Sequence, residues 1–201
     1  EGVASKVYVE RGDRVTRGQI LVALASDVER AQLALAKARH EFAARKVARN
    51  NELIVGKLLS GHEADELLTE LKIALLEVRS VQAALRQRSI FSPVDGLVTE
   101  RNTSQGEFVG AEPLLTIAVL NPLHAELIVG AEHFGKIRPN AKVWVTTDDY
   151  VSGEHLGTVA IVDQVIHAAS LTFGVRIKLA NDKSRLPAGL KCRVRFAKGG
   201  N

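Results

Sequence analysis

Side chains that do chemistry must recur at workable spacings, and here the histidines give the first test. His40, His62, His124, His133, His155 and His167 are scattered along the 201 residues. No two of them stand four apart on one helical stretch, the spacing that turns two imidazoles toward one metal. The chain has no Met, which removes the thioether ligands of a copper(I) site. Cys192 is alone, so an internal disulfide is excluded and spacing draws no Cys/His grouping. Neither a Ser/His/Asp arrangement nor a Gly-rich phosphate loop can be drawn either. Asp13, Asp27 and Glu107 stand at turns and a helix start, where binding backbone N–H groups accounts for them. The expectation is a chain without catalytic residues, resident metal or cofactor.

Composition narrows the remaining classes. Hydrophobic residues at 46% and charged residues at 25% are ordinary for a folded domain, while aromatics at 4% require an aliphatic core. The net charge of +4 is spread over interspersed bases and acids. No basic stripe interleaved with aromatics is present, so nucleic acid is not expected as a partner. No apolar run approaches the roughly 18 residues that span a bilayer. Lacking Met and opening inside a strand pattern, the sequence reads as a processed chain or an excised piece.

Two stretches are versions of one another at a constant offset of 94. Gly2 falls on Gly96, Gly12 on Gly106, Asp13 on Glu107, Val15 on Val109 and Leu21 on Leu115. Each copy predicts a strand, a tight turn with Gly before an acid, and another strand. Neither copy can bury its apolar face alone, so each needs the other as its second half. The chain must therefore return to its starting point after whatever lies between.

What lies between is helical. Ser26-Asp27-Val28-Glu29 predicts a capping box, with Ser26 accepting from the Glu29 amide and the carboxylate reaching back. A helix from about Asp27 to Leu59 follows, roughly 50 Å long at about 1.5 Å per residue. Its predicted seam is Val28, Ala31, Leu35, Ala38 and Phe42, fading beyond Phe42. A second capping box, Ser60-Gly61-His62-Glu63, opens a helix to about Arg88. There Ala64, Leu67, Leu71, Ala74, Val78, Val81 and Leu85 make three heptads of a coiled-coil seam. So short a turn makes the helices antiparallel neighbours. The bases Arg39, Arg45, Lys46 and Arg49 then lie beside the acids Glu63, Asp65, Glu66 and Glu70, fixing register more than stability.

Beyond Asn121-Pro122 the signals are short strands. Leu123, Ala125, Leu127 and Val129 alternate, as do Val143 and Val145, Val159 and Ile161, and then Val175, Ile177 and Leu179. Cys192, Val194 and Phe196 form the last such set. Ala131 to Ile137 predicts one short helix. Turns at Pro139-Asn140, Ser152-Gly153 and Pro187-Ala188-Gly189 complete the pattern of a small barrel or sandwich.

With Gly12-Asp13-x-Val15 before the helices and Ser92-Pro93-Val94-Asp95-Gly96 after them, the chain resembles the bacterial membrane fusion proteins of the hemolysin-secretion type. The resemblance covers nearly the whole sequence and includes Leu186-Pro187-x-Gly189. It implies an α+β, mostly β fold: a split lipoyl-like domain (1–25 with 90–120), an α-helical hairpin (26–89) and a β-barrel (121–201). It further implies a non-catalytic periplasmic adaptor, a trimer or hexamer forming a ring or funnel. The partners would be an inner-membrane transporter and an outer-membrane channel. Adaptors of this kind carry a tip pattern that docks on the channel, and Arg49, Leu53 and Ser60 match its spacing residue by residue.

The chain also departs from the family. Arg45-Lys46 interrupts the predicted seam, Leu171 stands where the barrel often has Arg, and the first barrel strand is missing, which predicts an open edge. Ser60 has a structural explanation as a helix cap, Arg49 could pair with an acid of the second helix, and Leu53 is either late core or exposed anchor. Two readings from other classes stand beside the adaptor. One is a lipoyl- or biotinyl-like carrier, although Ala25-Ser26-Asp27-Val28 has no Lys in the turn where such a group would attach. The other is a structural coiled-coil scaffold, which leaves the strand repeat unexplained.

Overall fold

Both halves of the repeat fold as short strands around a glycine turn, and they interlock. The computed structural model describes residues 1–56, 58–147, 153–182 and 186–196. The first half supplies β1 (Gly2–Val7), β2 (Arg14–Val15) and β3 (Ile20–Leu24). The second supplies β4 (Ser89–Phe91), β5 (Gly96–Arg101), β6 (Phe108–Val109) and β7 (Leu115–Ala118). One sheet runs β4-β3-β1-β6 and another β2-β5-β7, so each sheet draws strands from both halves.

The repeat extends to individual hydrogen bonds. The Gly12 amide donates to the Val98 carbonyl at 2.8 Å, and the Gly106 amide to the Ala4 carbonyl at 2.8 Å. In return Val98 N–H donates to Asp13 O and Ala4 N–H to Glu107 O. Asp13 accepts from the Glu10 amide at 2.7 Å, and Glu107 from the Ser104 amide at 2.7 Å. Gly12 and Gly106 sit at φ of 95° and 90°, a region that costs other residues about 1–2 kcal/mol. Ala4, Val98, Val15 and Val109 are buried beneath these turns.

Between the halves run α1 (Asp27–Val55) and α2 (Gly61–Gln87). At about 1.5 Å per residue each is roughly 40 Å long. α1 stops short of the expected Leu59 because Gly56, a poor helix former, ends it. The Gly56 amide donates to Glu52 O and the Leu58 amide to Leu53 O, both at 2.9 Å. The capping box expected at Ser26 does not form, and the Ser26 side chain makes no cap bond. Arg88, at the end of α2, takes the Glu29 carboxylate instead: Nε donates at 2.6 Å and Nη2 lies 2.5 Å away. Arg88 Nη1 also donates to Glu1 O at 2.6 Å, tying the root of the hairpin to β1. A hydrogen bond from its own backbone N–H, with the Arg88 guanidinium, holds the Glu29 carboxyl below its ordinary range against the opposing effect of burial.

The seam of α2 is the expected one, with all seven residues buried or half-buried. The seam of α1 is displaced by one or two residues from the expectation. Glu29, Leu33, Ala36, His40, Ala43, Val47, Asn50 and Ile54 turn inward at alternating four- and three-residue steps, and Val28, Leu35 and Phe42 are exposed. The correction has a plain cause. Glu29, His40 and Asn50 occupy seam positions, so an apolar-only reading slips to the neighbouring stripe. The seam does not fade, and Lys46 lies beside it, pairing with Glu70 at 2.8 Å. Arg39 pairs with Glu77 at 2.7 Å, while Arg45 turns back to Glu41 on its own helix.

The remaining strands are β8 (Leu123–Gly130), β9 (Lys142–Thr147), β10 (Glu154–Val162), β11 (Thr172–Leu179) and β12 (Cys192–Phe196). They form one antiparallel sheet in the order β12-β9-β10-β11-β8, which leaves β8 and β12 as edges. Val143, Val145, Val159, Phe173, Val175, Ile177 and Leu179 make its core. Ile161, expected inside with Val159, is exposed, because a register shift between the two turns it outward. The short helix expected over Ala131 to Ile137 is a 3₁₀ turn at Ala131–His133. Asn140 and Gly189 take positive φ in the expected turns; Ser152, of the third, lies outside the described residues. Buried Asn181 braces the start of the sheet: its side chain donates to Leu120 O and Leu186 O and accepts from the Leu186 amide. By contacts the chain divides into two units, Glu1–Val94 with Val98–Thr116, and Asp95–Leu97 with Ile117–Asn201. The fold is α+β and mostly β.

Candidate functional site at the hairpin tip

The far end of the hairpin combines a closed cap with uncovered apolar side chains. Ser60 and Glu63 form the reciprocal box that the sequence predicts. The Glu63 amide donates to Ser60 Oγ at 3.2 Å, and the Ser60 amide donates to Glu63 Oε2 at 3.0 Å. The Ser60 hydroxyl donates its proton to the same carboxylate oxygen at 2.8 Å. Ser60 is therefore engaged in the turn and leaves a partner only a spare lone pair.

The Ser60 hydroxyl first, and its amide second, hold the Glu63 carboxyl below the ordinary 4.5. A depressed carboxyl pKa contributes stability that is present above the unfolded value and is lost as pH falls through the folded value. Ser60→Ala should therefore lower the melting temperature of the hairpin most at neutral pH, and the gap from the parent should narrow below pH 4.5. Thermal melts followed by helical ellipticity across that range check it. A gap that widens in acid would contradict the cap.

Arg49 and Leu53 stand one helical turn apart on the last part of α1. Arg49 is exposed and makes no ion pair among the described residues. Its five N–H donors remain free for a planar acceptor. Leu53 is 40% exposed. The sequence reasoning missed two companions, Val55 at 74% and Leu58 at 76% exposure. Leu58 lies two residues beyond the helix-ending Gly56, outside the periodicity of α1. The Leu58 amide is bonded to the Leu53 carbonyl, so the backbone brings these two leucines together. The arrangement offers an apolar surface with a directed cation beside it, and nothing in it performs bond chemistry. Among the described residues no group of three or more His, Cys, Asp or Glu is placed to hold a metal, and no helix is long and apolar enough to cross a membrane.

Comparison with known proteins identifies the class. The model of the CzcB-like, barrel-sandwich hybrid domain matches residues 1–118, and that of the CusB-like, beta-barrel domain matches residues 126–200. The chain belongs to the membrane fusion proteins. It is 25% identical over 206 residues to the cobalt-zinc-cadmium resistance protein CzcB of Cupriavidus metallidurans, covering 94% of this chain and 39% of that protein. It is 25% identical over 222 residues to the membrane fusion protein MtrC of Neisseria gonorrhoeae, covering 96% and 54%. Among solved structures, a MacA-MexA chimera carrying the MexA α-hairpin of Pseudomonas aeruginosa superposes with a TM-score of 0.81 at 19% identity, over 96% of this chain and 72% of that one. The chain spans about half the length of the curated relatives it matches.

Proposed function

We propose that this chain is the hairpin-bearing part of a non-catalytic periplasmic adaptor. It links an inner-membrane efflux transporter to an outer-membrane channel as a ring of identical copies, with the hairpin tip touching the channel. The observation that carries this reading is the uncovered apolar tip. The hairpin seam turns inward as far as Ile54, yet Leu53, Val55 and Leu58 at its distal end remain exposed, with Arg49, which has no ion-pair partner among the described residues, alongside. Exposed apolar groups gathered beside one directed cation suit a small interface dominated by a few residues. Ser60 contributes chiefly by shaping the turn. The three-part division into lipoyl-like halves, hairpin and barrel belongs to the same reading.

The test is to make Arg49→Asp and Leu53→Asp separately in the complete adaptor. Each should weaken channel binding by about 2 kcal/mol, roughly thirtyfold, and abolish export with the cognate pump. The melting temperature of the hairpin should stay unchanged. Export that survives in a folded variant rejects the tip assignment, and export lost only in step with unfolding makes these residues structural.

A further inference from the structure

Alternation along the five-stranded sheet sorts its residues by face. Val143, Val145, Val159, Ile177 and Leu179 turn into the core, so Lys142, Trp144, Leu156, Thr158 and Lys178 stand on the opposite face. Strand register sets them side by side. Trp144 has Arg195 as its neighbour on one flank and Leu156 on the other. In the next row Thr158 lies between Lys142 and Lys178, and His124 follows beyond Lys178. Among the described residues these two rows hold three bases and no acid. The acids of this face stand in the flanking rows: Glu154 pairs with Arg195 at 2.6 Å, Glu126 pairs with Arg176 at 2.5 Å, and Asp163 lies over Gly174. Lys142 and Lys178 have no ion-pair partner among the described residues. Lys142 Nζ donates to Thr158 Oγ1 at 2.9 Å, which leaves it two further N–H donors.

Beside these lysines is a small apolar centre. Trp144 is 36% exposed and its cross-strand partner Leu156 is 52% exposed. An indole has an apolar body and a single N–H, which suits the boundary between hydrocarbon and water. Lysines carry their charge past such a centre on flexible stems. Apolar side chains ringed by bases match an anionic lipid surface, where the former enter the headgroup layer and the ammonium groups meet phosphates. A free phosphate would use the lysines alone and leave Trp144 and Leu156 uncovered.

We propose that this face of the sheet docks on the surface of a bilayer containing anionic phospholipid. Trp144 and Leu156 enter the headgroup layer, and Lys142 and Lys178 bind lipid phosphates. The inference goes beyond the adaptor reading, concerns the five-stranded sheet by itself and does not depend on what the hairpin tip meets.

Trp144 is the only tryptophan of the chain, so its emission reports from the centre of the face. The full chain is titrated with vesicles of phosphatidylglycerol and, in parallel, with vesicles of phosphatidylcholine. The first should move the emission to shorter wavelength, and the second should leave it unchanged. Lys142→Gln and Lys178→Gln should each weaken binding about fivefold with melting temperature retained, and salt at about 0.5 M should release the chain. Leu156→Ala should weaken binding as well, whereas Lys37→Gln on the hairpin should bind like the parent. Vesicles that sediment the chain without moving the Trp144 emission would place the contact elsewhere and overturn the proposal. An equal shift with both lipids, or binding indifferent to both lysine variants, would remove the phosphate contact and overturn it too. So would an equal loss in Lys37→Gln, which would mean diffuse attraction by net charge. A shift with polyglutamate and none with vesicles would assign the face to an acidic protein instead.

Discussion

Ala43→Asp should cost the hairpin about 2–4 kcal/mol, whereas Phe42→Asp, one residue earlier, should leave its melting nearly unchanged. Ala43 is 3% exposed, and Ala74 is buried in the facing seam. A carboxylate there has neither room nor a partner, and it is desolvated between two helices. Phe42 lines a groove beside the seam and is 53% exposed, so a charge in its place stays hydrated. Leu71→Asp, on the half-buried seam of α2, should resemble Ala43→Asp. Helical ellipticity against urea, read separately for each variant, measures the difference. If Phe42→Asp is the more damaging of the adjacent pair, the seam of α1 has been placed one residue out.

Phe173→Ala should be the costliest single truncation in the sheet, at about 3–5 kcal/mol. The Phe173 ring is 1% exposed and meets Phe134 edge to face, with centroids 5.4 Å apart at 84°. Its removal leaves a cavity beside Phe134, the cross-strand partner Val129 and Val175 two residues on, the two valines being stiff β-branched neighbours that collapse poorly into the space. Trp144, the single tryptophan, lies in β9 of the same sheet and reports its unfolding by fluorescence. A loss below about 1 kcal/mol would mean that the neighbours refill the site.

Different parts of the structure were legible for different reasons. The strand repeat was readable because glycine and an acid recur at one spacing and serve the same turn twice: Gly12 with Asp13, and Gly106 with Glu107. The cap at Ser60 was readable because the box is local and closes on itself. The similar string at Ser26 failed because its Glu29 was claimed by Arg88, 59 residues away. No local rule contains that competitor. The seam of α2 is wholly apolar and was legible, whereas that of α1 admits Glu29, His40 and Asn50, so periodicity in apolar residues pointed to the wrong stripe. At the proposed tip surface, Arg49 and Leu53 were suggested by a resemblance in spacing. Val55 and Leu58 required knowing where the helix ends, which Gly56 decides and the apolar pattern conceals.

The root of the hairpin has a geometric consequence for reach. The chain leaves β3 at Leu24 and re-enters β4 after Arg88, and the Leu24 amide is hydrogen-bonded to the Arg88 carbonyl at 2.7 Å. Ala23 and Ser89 are already partners in the sheet. The whole excursion is therefore held between two neighbouring rungs of one ladder, as a two-residue turn would be. Adding seven residues to each helix would move the tip outward by about 10 Å and leave both rungs, the facing direction of the seam and the interlocked strands where they are. Arm length is in this sense an independent dimension of the molecule, adjustable without redesign of the base.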